Sequence, residues 1–253
     1  MSRIGFIGTG HIAAPMVRFL AAKDHQITVS RRNAEVAASL TASHGVSVAD
    51  NQAVLDASDI VFLCVRPHLA TDVLETLSFR ADHQIVSVMA GISLTALAAA
   101  CAPASDISMT IPLGYLEQGG CPLPACPSGD VLKPLFAPDN PVFSVPDEAA
   151  LNMHFAVCAF VPGVLDLMAT SAAWLGSQTG DDDQAARYTR QLLAGFLAAL
   201  PDEGAALLPA ERDALATQGT LSAQMTAGLR DGGAHDALTR TLNDIADQLK
   251  GAT

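Results

Sequence analysis

Apolar and polar positions alternate along the first half of the chain in short blocks. Apolar runs stand at Arg3–Ile7, Gln26–Ser30, Val46–Val48, Ile60–Val65, Gln84–Met89 and Ile107–Ile111, and most intervals between them carry helical periodicity. That alternation predicts an α/β fold with a doubly wound, largely parallel sheet of Rossmann type. The run from Asp59 to Val65 is apolar on both faces, as a central strand covered by helices must be, and it ends in Arg66-Pro67-His68. From Gly114 to Pro146 glycine and proline dominate, which predicts extended segments around a short helix near Val131–Phe136 and a strand at Val142–Val145. Pro146-Asp147-Glu148 reads as a helix start, so a Rossmann domain is expected over 1–146 and an all-α domain over 147–253.

Strand signals vanish after that boundary. Helices are expected at Glu148–Trp174, Asp183–Leu200, Pro209–Ala216, Leu221–Arg230 and Ala234–Leu249, separated by Gly180-Asp181, Pro201-Asp202 and Gly232-Gly233. The first is apolar nearly all round, and about a hundred residues of such helix form a thin core for an independent bundle. The helical domain is therefore expected to form a homodimer, through a face carrying Met153, Phe160, Leu167 and Trp174. The segment Ala149–Leu175 is long enough to span a membrane, but His154, Pro162 and Asp166 inside it argue for burial between protein surfaces instead.

The glycine pattern gives the first block its chemistry. Gly8-Thr9-Gly10 follows a strand and opens a helix, and Ala13 takes the third small position of the dinucleotide fingerprint. Gly8 suits the tight turn, Gly10 admits a diphosphate to the backbone, and the helix N-terminus beside His11 and Ile12 favours an anion. Ile12, Met16, Phe19 and Leu20 are expected to share its apolar face. At the end of the second strand, where an acid would serve a free 2'-hydroxyl, stand Ser30, Arg31 and Arg32, a set that favours the 2'-phosphate of NADP. His11 reads equally as a phosphate donor or a surface residue. Asn51 reads as an adenosine contact or a helix cap, and Ala90-Gly91 as a backbone edge for a flat ring.

Net charge narrows the partners. With 14 basic against 26 acidic residues the formal charge is -12, which opposes nucleic acid and anionic membranes. The five cysteines are scattered and odd in number, which fits the cytoplasm, and no metal site is expected at Cys121 and Cys126. One hydroxyl-rich loop, Thr217 to Ser222, suits either a small substrate or a helix cap.

Taken together, Ile4-Gly-Phe-Ile-Gly-Thr-Gly10 with Ala13, Ser30-Arg-Arg-Asn33, Asp50-Asn51, Asp59-Ile-Val-Phe-Leu-Cys-Val-Arg-Pro67 and Ser87-Val-Met-Ala-Gly-Ile-Ser93 resemble the pyrroline-5-carboxylate reductases, nearly end to end. The resemblance implies an NADPH-preferring Rossmann domain, an interlocking helical dimer and reduction of a cyclic imine acid to proline. It implies cofactor contacts at Gly8, Gly10, Ser30, Arg31, Asn51, Val65, Arg66, Pro67, Ala90 and Gly91, with Arg66 where the family usually has Lys. Pro112 and Pro162 match family prolines, whereas Leu113 replaces an Asn and the Gly-Ser-Gly before the second proline is missing. The family's substrate loop, Ser-Pro-Gly-Gly-Thr-Thr, falls on Thr217 to Ser222, where Thr220 replaces a glycine and Leu221 a hydroxyl. Thr217 and Ser222 are thus the expected substrate-side residues. A β-hydroxyacid dehydrogenase would need a catalytic lysine that this chain lacks, since its lysines are Lys23, Lys133 and Lys250. The altered loop also admits another imine or carbonyl substrate, or a non-catalytic NADP-binding protein.

Overall fold

A computed structural model describes residues 1–201 and 207–251, so Asp202 of the expected second helix break and the last two residues lie outside it. Chain contacts gather into two units, one of Met1–Phe155 with the chain from Ala246 on, the other of Ala156–Ile245. The first unit thus runs past 146, into the helix that was expected to open the second.

In the first unit, eight strands form one sheet: β1 (Arg3–Ile7), β2 (Gln26–Ser30), β3 (Ser47–Ala49), β4 (Ile60–Leu63), β5 (Gln84–Ser87), β6 (Asp106–Thr110), β7 (Leu123–Cys126) and β8 (Val142–Ser144). Their order is β3-β2-β1-β4-β5-β6-β7-β8, and every pairing is parallel except β6 with β7. The strand order reverses between β1 and β4, which opens a crevice beyond their carboxyl ends. Helices α1 (Ala13–Ala21), α2 (Ala34–His44), α3 (Asn51–Asp56), α4 (Ala70–Leu74), α5 (Leu94–Ala100) and α6 (Lys133–Phe136) follow the strands.

Aromatic packing fixes the helix that matters most. Phe6 of β1 stacks on Phe62 of β4 at 4.8 Å, Phe136 of α6 meets Phe62 edge-on at 6.1 Å, and Phe19 of α1 lies 5.7 Å from Phe136. Each buried ring contributes about 1.5–3 kcal/mol, so α1 is pinned over β1 and β4. Met16, Phe19 and Leu20 are buried as expected, but Ile12 is 38% exposed because it precedes the helix as its N-cap residue.

The sequence pattern gave β7 only as part of an extended segment, since Pro124 sits inside it. The Leu123 N–H bonds Pro141 and the Ala125 carbonyl accepts from Val145, so Pro124 turns its nitrogen toward β6, where pairing starts only at Ala125 with Thr110. No ladder bond is lost there.

Farther on, the expected helix Glu148–Trp174 is two helices, α7 (Glu148–Cys158) and α8 (Phe160–Thr179), broken at Ala159. Pro162 explains the break. It lies in the first turn of α8, where no N–H is needed, whereas a continuous helix would lose a bond at that point. In the second unit, α8 turns at Gly180 (φ 78°) into α9 (Asp182–Ala199), whose cap Asp181 accepts from the Gln184 N–H. Helices α10 (Leu207–Leu215), α11 (Leu221–Asp231) and α12 (Ala234–Gly251) complete the chain. By length and composition alone the stretch Glu148–Thr179 is apolar enough to cross a membrane, and little of it is buried.

Candidate functional site

Beyond the carboxyl ends of β1, β2 and β4 lies a cleft of about 400 Å³, lined by Gly8, Thr9, Gly10, Arg32, Asn33, Ala34, Cys64, Val65, Arg66 and Leu69. Its floor is the glycine turn, and the two glycines serve different needs. Gly8 has φ 95°, and a Cβ there would stand 2.6 Å from the carbonyl oxygen of Cys64. Only glycine fits. Gly10 lies outside the left-handed region, and a Cβ there would meet nothing within 4 Å. The fold itself does not require glycine at that position; an atom group from outside, brought close to the backbone, would.

The turn is braced from below. Ser30 Oγ accepts the Gly8 N–H at 2.9 Å, and Thr9 Oγ1 donates to the Ser30 carbonyl at 2.9 Å. Ser30 is 1% exposed, and its oxygen braces the turn. Above the turn α1 begins without a side-chain cap; the Ala14 N–H bonds the Gly10 carbonyl at 3.0 Å and Pro15 has no N–H, so the Ala13 N–H and the positive dipole end are what the helix offers an anion. Cys64 remains a thiol, its pKa pushed well up by burial.

Among Lys and Arg of the described first unit, Arg3, Arg18, Lys23, Arg31, Arg80, Lys133 and Lys250 each pair with a carboxylate. Arg32 and Arg66 do not, and both line the cleft. Two unpaired guanidiniums on one crevice of a chain with net charge -12 leave an anionic ligand as their natural partner.

Of the other expected site residues, Val65 lines the cleft and Pro67 opens the single turn Pro67–Leu69 beneath it. Arg31 is turned away to Asp50. His11 is exposed at the rim, in a neighbouring depression shared with Gly10, Arg18 and Asn33. Asn51 is the first residue of α3, but Asp50 is the cap, accepting from the Ala53 N–H at 3.0 Å. Ala90 and Gly91 (φ 73°) form the turn after β5, at the same edge of the sheet but outside this cleft. Sequence reasoning missed Asn33 as a lining residue, although it directly follows Arg32; its Oδ1 also caps α2 by accepting from Val36.

In the second unit, the Thr217–Ser222 loop is exposed. It does cap a helix, through Thr220, which accepts from the Ala223 N–H and donates to the Thr217 carbonyl. The Ser222 hydroxyl makes no hydrogen bond among the described residues. Among those residues no group of three or more His, Cys, Asp or Glu is placed to hold a metal, and Cys121 Sγ accepts the Leu113 N–H.

A family model described as NADP oxidoreductase coenzyme F420-dependent matches residues 3–91. The pyrroline-5-carboxylate reductase of Corynebacterium melassecola is 33% identical over 106 residues, 38% of this chain and 39% of that protein. The match thus spans about two fifths of the curated relative. The 1-pyrroline-5-carboxylate reductase of Streptococcus pyogenes superposes with a TM-score of 0.83 at 19% identity, over 99% of this chain and 98% of that one. The chain is thus similar to the pyrroline-5-carboxylate reductases, in sequence over about two fifths of its length and in fold throughout. The Plasmodium falciparum pyrroline carboxylate reductase, solved with NADP bound, shares the fold at a TM-score of 0.82 and 13% identity, over 99% and 98% of the two chains.

Set against the loop that the resemblance implies, the loop of the second unit carries no backbone strain. Gly219 keeps φ 83°, the conformation a glycine allows, whereas Thr220, in place of the second glycine, has φ -90° and carries no strain. Leu221 offers no hydrogen-bond donor where the resemblance implies one.

Proposed function

We propose that the chain is an NADP-dependent reductase that delivers hydride to the C=N bond of a small cyclic imine acid, working as a homodimer through its helical unit. The observation that carries the reading is the joint one at the cleft: the open space over Gly10 and the two unpaired guanidiniums of Arg32 and Arg66. They fit a phosphorylated dinucleotide, with the diphosphate against Gly8-Thr9-Gly10 and the N-terminus of α1. The 2'-phosphate falls to Arg32 with Arg66, and the nicotinamide to the Ala90-Gly91 edge. Bound there, NADPH supplies the hydride and leaves as NADP+. The imine carbon gains that hydride while its nitrogen gains a proton, giving a secondary amine. The protein's part is position, exclusion of water and a hydroxyl donor near the nitrogen or the carboxylate.

Turnover is tested by following NADPH consumption with 1-pyrroline-5-carboxylate, its six-membered analogue and simple ketones. Consumption with the imine acids is expected. NADPH binding without any consumption would sink the reductase reading and leave an NADP-binding protein, the alternative that Leu221 favours. Faster consumption with ketones would move the substrate to a carbonyl.

Arg32→Ala is expected to weaken NADPH binding about tenfold or more, because a charge-assisted contact contributes about 1.5–3 kcal/mol, and to leave NADH binding unchanged. Equal affinities for the two cofactors in the wild type would end the NADP assignment.

Ser222 is proposed as the substrate-side hydroxyl, with Thr217 beside it. Because Thr220 holds the cap, Thr220→Ala should cost about 1 kcal/mol of stability, and Ser222→Ala almost none. In kinetics the order reverses: Ser222→Ala should lower kcat/KM about tenfold or more with NADPH affinity intact. An unchanged kcat/KM removes Ser222 from the site.

A further inference from the structure

The end of β2 holds two arginines with opposite fates. Ser30 pairs with Ala49 as the last register pair of β2 and β3, and one residue further the Arg31 N–H bonds the Ala49 carbonyl at 3.1 Å. Arg31 and Asp50 are thus set side by side at the sheet edge by strand register. Asp50 has little freedom to move aside, since its Oδ1 accepts the Ala53 N–H at 3.0 Å as the cap of α3. Its Oδ2 lies 3.7 Å from Arg31 Nη2. That is an ion pair without a hydrogen bond, both side chains being about two-thirds exposed. Arg32 has no such partner and lines the cleft.

We infer that Asp50 withholds Arg31 from the cofactor's 2'-phosphate and so limits the preference of this chain for NADPH over NADH. The inference rests on the cofactor reading above. A carboxylate at this place acts against a second phosphate contact by occupying the guanidinium that would make it. An exposed pair of this length is weak, which leaves Arg31 free to change partner once the carboxylate is neutralised. Asp50 is in this sense a positioning residue, acting through Arg31.

Asp50→Asn isolates the effect, because Asn caps a helix as well as Asp does while carrying no charge. Dissociation constants for NADPH and NADH are measured at fixed ionic strength for wild type, Asp50→Asn, Arg31→Ala and the double variant, since salt screens such contacts. Asp50→Asn is expected to tighten NADPH binding about three- to tenfold with NADH unchanged, a gain the size of one exposed charge-assisted contact. The gain should vanish in the double variant, and Arg31→Ala alone should cost far less than Arg32→Ala. A gain that survives in the double variant overturns the inference, because Asp50 would then act by charge alone. No gain, or a loss in Arg31→Ala as large as in Arg32→Ala, overturns it too. A wild type that binds NADH as tightly as NADPH, with Arg32→Ala changing both equally, marks failure of the cofactor reading itself.

Discussion

Gly10→Val is expected to leave the protein folded and to weaken NADPH binding by about a hundredfold or more. A Cβ at Gly10 meets no atom within 4 Å beyond its chain neighbours, so the branch point of the valine has room without moving the turn. The same side chain stands over the cleft, where it keeps a diphosphate from the backbone N–H groups of the turn and of α1. Two lost charge-assisted bonds of about 1.5–3 kcal/mol each account for the predicted loss. Gly8→Ala makes the opposite change. Its Cβ falls 2.6 Å from a backbone oxygen at φ 95°, and close contact and disfavoured backbone together should cost about 2–5 kcal/mol of stability. Thermal unfolding and cofactor titration of the two variants side by side check the separation. Should Gly10→Val bind NADPH as tightly as wild type, the cleft is not the diphosphate site.

The same contrast shows what was legible in the chain. Strands β1 and β2 keep the bounds their apolar runs imply, and the glycine turn is where the fingerprint places it, because burial on both faces and backbone conformation leave direct marks on residue type. Roles that depend on side-chain direction left no such mark. Ser30 is a hydroxyl beside two arginines in the sequence, but its oxygen is taken by the Gly8 N–H. Arg31 and Arg32 are adjacent and chemically alike, and only the carboxylate of Asp50, the cap of α3 just past β3, tells them apart. The cap of α3 stands one residue before the one read from the sequence, at Asp50 rather than Asn51, since two capping residues stand side by side there. Long-range pairing hid β7, whose proline is harmless only because of where β6 begins to bond it.

The second large effect is expected in assembly. Phe160, Leu167 and Trp174 recur every seven residues along α8, so each is displaced by only about 20° around the helix from the last. All three are exposed within a single copy, Leu167 to 57% and Trp174 to 66%, and α9 adds Tyr188, Leu192 and Leu197. Met153, the fourth residue expected on this face, is half-buried and belongs to the first unit. An apolar stripe of this extent is unusual for a monomer in water. We propose that a second copy covers it, and sedimentation at micromolar concentration should therefore show a dimer. Leu167→Glu combined with Trp174→Glu removes four large apolar side chains from a two-fold interface, at about 1.5 kcal/mol each or more. That is about 6 kcal/mol, or roughly four decades in the dimer dissociation constant. The double variant should sediment as a folded monomer. Since Glu148–Thr179 is also long enough to cross a bilayer, the wild type is run with and without detergent. A dimer in plain buffer that the two glutamates dissolve supports the interface. A wild type that stays monomeric, or that stays in solution only with detergent, overturns it.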